Sequence, residues 1–141
     1  MGLGFNGRMS DHNPLHHVVA IAVGGAGGAI CRHLVNLTCS RVFGNHFAIG
    51  TLTVNVIGCC LIGMLIPLGT AEFPRWGAVT HSALTIGFLG ALTTFSTFGF
   101  ETTRFFENEQ VGFGLLNIAG NMLLGLAAVY GGLQLGRLWV G

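Results

Sequence analysis

The chain has 141 residues, 51% of them hydrophobic and only 8% charged, with a formal net charge of +1. Soluble domains carry about 25% charged residues, so the composition excludes an ordinary soluble enzyme and favours a membrane protein. It contains no lysine, and with it lacks the basic patch that nucleic-acid binding needs.

Residues 1–14, with Asp11, His12 and Pro14, read as a short soluble or disordered lead ahead of a membrane domain at 15–141. No cleavable signal stands out, because the first apolar run comes late and leads into a full span. A span needs about 20 mostly apolar residues, and four segments qualify. The first is predicted from about Leu15 to Leu37. His16 and His17 open it and, with His12, read as an interfacial cluster in preference to a metal patch. Gly24, Gly25, Gly28 and Ala29 give it two small-xxx-small pairs, which let helix backbones approach closely. Arg32 lies just inside its end.

The second span is predicted from about Phe47 to Leu68. Thr51 and Asn55 sit four apart and share a face, while Gly58 and Gly63 keep the helix slim. Cys59 and Cys60 are adjacent and point to different faces. With Cys31 and Cys39 they lack zinc spacing and read as small apolar residues.

The third span, from about Val79 to Phe100, is the most informative. Its uncharged stretch SALTIGFLGALTTFSTFGF (82–100) has glycines at 87 and 90, then Thr93, Thr94, Ser96 and Thr97 with Phe95 and Phe98 among them. A helix break is expected here, and in lipid it is tolerated only where protein buries it or water lines it. Phe95 and Phe98 lie near one face if helix resumes after the break. Aromatic ring edges are electropositive, so edges turned into a pore would favour a small anion; two ordinary core phenylalanines are the bland alternative. Glu101 follows near the end. The fourth span, from about Val111 to Leu138, carries Asn117 and Asn121 four apart, and Gly132 with Gly136 repeats the close-packing device. The predicted connections are residues 41–45, 71–75 and 104–109.

Polar residues inside spans are costly in lipid and face the protein interior. The two Asn-bearing pairs and the Thr/Ser cluster therefore predict a hydrogen-bonding track for something small and polar. No Asp, Glu, Lys or His stands at the middle of spans one, two or four, so a permeant would meet neutral donors there. The glycine content, 24 residues, implies a compact bundle that dimerises to build a usable pathway. Orientation follows the Lys/Arg bias of short loops. Here Arg8, Arg75 and Arg137 fall on one side and Arg41 and Arg104 on the other, with Arg32 adding to the second. That near balance predicts a weakly specified orientation, with insertion both ways round.

The segments GGAGGAICR (24–32), GTLTVNVIGCCLIG (50–63) and GFLGALTTFSTFGFE (87–101), in this order, resemble the fluoride channel family called Fluc or CrcB. The resemblance covers about residues 18–138. It implies an all-α membrane protein of four transmembrane helices per subunit, the third broken mid-membrane, paired as an antiparallel dual-topology homodimer with two pores. By the same resemblance Phe95 and Phe98 line the fluoride path, Asn55 is the pore asparagine, and Arg32 lies near a vestibule. Ser96 and Thr97 belong to the polar stretch after the break, and Glu101 to its end. Backbone carbonyls of Gly90 and Thr93 from both subunits would hold a central structural Na⁺. Where the family commonly has a serine or threonine on span four, this chain has Asn121, with Asn117 one turn earlier; an amide can also donate to an anion.

The implied function is passive, fluoride-selective export across the bacterial inner (plasma) membrane, with no catalysis, and with fluoride, lipid and a second copy as the partners. One rival is a small dual-topology coupled exporter of the drug/proton exchange type, which usually relies on an embedded carboxylate that span one lacks. The other is a non-conducting scaffold, which leaves the Thr/Ser/Asn residues without a purpose.

Overall fold

A computed structural model describes residues 14–44 and 47–140, of which 70–76 are described by their backbone alone. The chain runs through α1 (Pro14–Phe43), α2 (Ile49–Ser82), a π-helical stretch Ala83–Leu89 and the single turn α3 (Gly90–Leu92). It continues through α4 (Phe95–Glu107), α5 (Val111–Ala119), a π-helical stretch Gly120–Leu124 and α6 (Gly125–Val140). Among the described residues, four segments are long and apolar enough to cross a membrane: Pro14–Phe43, Ile49–Gly69, Gly77–Glu107 and Val111–Val140. The protein is all-helical, as expected. The expected lead falls outside the described residues except for Pro14, which opens α1, a position where a missing N–H does no harm.

The span ends differ from the sequence expectation. α1 continues past Leu37 to Phe43, so Arg41 is helical, and the third span continues past Phe100 to Glu107, taking Arg104 with it. Thirty helical residues extend about 45 Å, against about 30 Å of hydrocarbon. Hydropathy marks only the lipid-facing part, whereas backbone hydrogen bonding carries each helix on into the polar flank. Residues 71–75, expected as a connection, are also helical. The chain turns instead at Gly77 (φ 71, ψ 151), in a region of backbone space open essentially to glycine alone.

Close packing of glycines builds the bundle. α1 lies mainly on Ala83–Leu89 and α3, and α2 on α6. A Cβ at Gly24 or Gly28 would collide with the carbonyl oxygens of Ala83 and Phe88, and one at Gly132 with that of Cys60. The small-residue pairs predicted on spans one and four therefore sit where backbone meets backbone. Val54, Leu89 and Leu92 form a small buried core, with Val35, Leu61, Ile62, Leu65 and Phe88 packed around it. Outside it the surface is apolar: Val23, Ile86, Leu123 and Leu126 are all exposed. A continuous apolar exterior of this kind suits contact with lipid.

Candidate functional site

The polar cluster of the third span lies where two residues leave helical geometry, Thr93 at φ −81, ψ 155 and Thr94 at φ −152, ψ 114. In a regular α-helix the Thr94 N–H would donate to the Gly90 carbonyl and the Thr97 N–H to the Thr93 carbonyl. Side chains take both donors instead. Thr94 N donates to Asn55 Oδ1 at 2.9 Å, and Thr97 N donates to Thr94 Oγ1 at 3.2 Å. Thr94 thus acts as N-cap of α4, while Asn55 imitates a helical acceptor. The carbonyls of Gly90 and Thr93 lose their regular helical donors, and these are the two carbonyls expected to hold a cation. Gly58 makes the room: a Cβ there would strike the Thr93 methyl.

From Asn55 a chain of amides runs inward. Asn55 Nδ2 donates to Asn121 Oδ1 at 2.8 Å and to the Thr94 carbonyl at 3.3 Å. Asn121 Nδ2 in turn donates to the carbonyl of Asn117 at 3.0 Å and to its Oδ1 at 3.1 Å. Asn117 Nδ2 donates to Thr102 Oγ1 at 2.9 Å, and Thr102 Oγ1 donates to the Phe98 carbonyl at 2.7 Å. An orphaned buried polar group costs about 1–3 kcal/mol, and this chain leaves few. It joins α2, α4 and the fourth span through hydrogen bonds alone.

Two cavities flank α4. The first, about 320 Å³, is lined by Asn55, Gly90, Thr93, Phe95, Phe98 and Asn121 among others. Phe95 is 77% exposed and Phe98 7%, with ring centroids 5.5 Å apart and planes tilted by 57°. The second, about 530 Å³, lies further along α4 and includes Asn36, Thr51, Glu101 and Arg104. Thr51 Oγ1 donates to Glu101 Oε1 at 2.8 Å, while the buried Oε2 finds no partner among the described residues. The Arg104 guanidinium sits 5.8 Å from the Phe100 ring centroid. Phe105 stacks on Phe47 at 5.8 Å and meets Phe113 at 5.9 Å, walling this cavity with aromatic surface.

The expected site residues thus divide. Asn55, Phe95, Phe98, Asn121, Gly90 and Thr93 share one cavity, and Glu101 lines the other. Ser96 is exposed beside Thr94, its Oγ 3.3 Å from Thr94 Oγ1, and Thr97 Oγ1 accepts from Thr94 Oγ1 at 3.0 Å. Asn117 is fully buried at 0% exposure and lines neither cavity. Arg32, half-buried on α1, also lines neither. Sequence reasoning passed over Thr102, although its place four residues after Phe98 is the spacing at which a threonine hydroxyl bonds back to a helix carbonyl. The Phe47–Phe105–Phe113 cluster joins residues too far apart in sequence for any local pattern to signal.

Comparison with known proteins adds a second line. Residues 19–133 match the family described as "CrcB-like protein, Camphor Resistance (CrcB)". A protein of Maridesulfovibrio salexigens named "Fluoride-specific ion channel FluC" is 44% identical over 128 residues, covering 89% of this chain and 99% of the relative. One of the same name from Dehalococcoides mccartyi is 43% identical over 123 residues, 86% of this chain and 92% of the relative. Another from Hydrogenovibrio crunogenus is 40% identical over 120 residues, 85% of this chain and 90% of the relative.

Proposed function

This chain belongs to the CrcB-like family, and on that premise we propose that it is a fluoride-selective channel that lets the anion cross the membrane passively. The observation that carries the reading is the first cavity. There two phenylalanines, one of them exposed, lie beside the N-terminal turn of α4 and the extended pair Thr93–Thr94.

Fluoride is small and strongly hydrated, so a pore must supply donors in place of water. The first turn of α4 offers unpaired N–H groups and the positive end of a helix dipole. The edges of Phe95 and Phe98 add weak positive potential. Among the described residues no arginine or histidine lines this cavity, so no fixed cation there traps the ion, and conduction needs binding weak enough for release. Thr51 and Glu101 line the wider cavity further along α4, which serves as the vestibule.

The cavity is open on the side of Phe95 and Gly90, both exposed. We take a second copy of the chain, inserted antiparallel, to cover that side and complete two pores at mid-membrane, where the extended pair interrupts the third helix. Carbonyl oxygens freed from helical bonding suit a monovalent cation. Those of Gly90 and Thr93 from both copies would hold a structural Na⁺, which when bound would tie the two copies together. In a bacterial inner membrane the anion would then leave the cytoplasm down the membrane potential. The coupled-exporter alternative finds no support, since α1 carries no carboxylate.

The test is efflux from liposomes holding the purified protein, clamped with a potassium gradient and valinomycin. Fast fluoride release that follows the imposed voltage and ignores an imposed pH gradient is expected. Release driven by the pH gradient would overturn the channel reading in favour of a coupled exporter.

A further inference from the structure

We propose that Thr102 and Asn117 are positioning residues that fix the rotation of α4, and with it the place of Phe98, without touching the permeant. The proposal rests on the channel reading above and concerns how the aromatic wall of that channel is held.

α4 is 13 residues long and is preceded by the extended pair Thr93–Thr94, so no continuous helix upstream dictates its rotation. It packs chiefly on α5. A side chain about 5–6 Å from a helix axis moves about 2 Å when the helix turns by about 20°. A pore that strips water from a small ion would register that displacement. Something must therefore set the angle.

The Thr102 hydroxyl is used in both directions. It donates to the Phe98 carbonyl at 2.7 Å and accepts from Asn117 Nδ2 at 2.9 Å. Thr102 is 7% exposed and Asn117 0%, so water does not compete for the tie. Among the described residues, it is the side-chain hydrogen bond of α4 that reaches the fourth span directly. The same Asn117 accepts from Asn121, which accepts from Asn55, which holds the Thr94 N–H. One network thus references both the start of α4 and the turn bearing Phe98 to the same buried amides. A donor to the ion would have to face a cavity. Asn117 faces neither, and its role is carried through Thr102.

The experiment compares Thr102→Val, which keeps the shape and removes the hydroxyl, with Thr102→Ser, which keeps the hydroxyl. Each is read by fluoride and chloride efflux from liposomes and by the ¹⁹F resonance of 4-fluorophenylalanine placed at position 98. Thr102→Val removes both bonds of the hydroxyl and is expected to lower fluoride flux by about tenfold or more, the population factor of losing the buried tie to Asn117. It should also lower the fluoride-to-chloride ratio and shift or broaden the position-98 resonance. Thr102→Ser should stay within about twofold of wild type and keep the resonance, because the tie survives. A Thr102→Val protein with wild-type flux ratio, or with an unmoved resonance, overturns the proposal. Should that variant not fold, Asn117→Ala cuts the same tie from the other helix and is judged by the same two measurements. A wild-type protein that releases no fluoride overturns the channel reading itself, and the resonance comparison still decides the positioning role.

Discussion

Replacing Asn55 with leucine tests how the extended pair in the third span is maintained. The substitution removes three hydrogen bonds: from Thr94 N at 2.9 Å, to the Thr94 carbonyl at 3.3 Å and to Asn121 Oδ1 at 2.8 Å. Interhelical hydrogen bonds in membranes contribute on average about 0.6 kcal/mol each, because the separated helices find other partners. Three therefore amount to roughly 2 kcal/mol of fold stability. The effect on local geometry is larger than that figure conveys. The Thr94 N–H has a ready alternative acceptor, the Gly90 carbonyl of its own helix. Without Asn55 the helix heals, the Gly90 carbonyl is recaptured, and Phe95 rotates out of register with Phe98. The expected outcome is a folded protein whose thermal midpoint in detergent falls by roughly 5–10 °C, as about 2 kcal/mol implies for a chain of this size, but whose fluoride efflux is nearly abolished. An Asn55→Leu protein that conducts at the wild-type rate would refute the reasoning.

Other substitutions isolate single features. Phe98→Ile keeps an apolar side chain but removes the ring edge; flux should drop by about tenfold or more if the edge supplies the positive potential, while gel filtration still shows the wild-type elution volume. Gly28→Leu drives a side chain into the Phe88 carbonyl and should lose at least about 1–3 kcal/mol of stability by overpacking. Gly131→Ala meets nothing within 4 Å and should unfold like wild type in the same thermal scan. Gly77→Ala also meets nothing within 4 Å but sits at φ 71, ψ 151; its expected cost of about 1–3 kcal/mol is purely backbone strain, read as a lower unfolding midpoint with unchanged flux.

How far the sequence carried depends on the kind of force involved. The four apolar runs were legible because lipid demands a minimum length of apolar chain. The glycine pairs at 24, 28, 132 and 136 were legible because close packing uses i,i+4 spacing. The threonines at 93–97 supply the kind of side chain that caps a helix start, and Thr94 caps α4 in this way. Other features were not readable. Residues 71–75, with their charges and proline, drew the connection away from Gly77, because only a backbone dihedral distinguishes the true turn. The π-helical stretches at Ala83–Leu89 and Gly120–Leu124 depend on i+5 bonding, which leaves no side-chain pattern. The i,i+4 spacing of Asn117 and Asn121 puts both on one face of the fourth span but does not say what each meets. Asn121 reaches the cavity shared with Asn55, whereas Asn117 spends its amide on Thr102.

A fluoride channel carries its permeant as a free ion, so the current itself reports the selectivity. The most direct measurement is the reversal potential of the protein in a planar bilayer, with fluoride on one side and an equal concentration of chloride on the other. The expected current reverses only at a large potential of the sign that opposes fluoride flow, and a clear fluoride current flows at zero volts. Reversal near zero would mean that chloride passes as readily, and would contradict an aromatic-edged pathway built for the smaller ion.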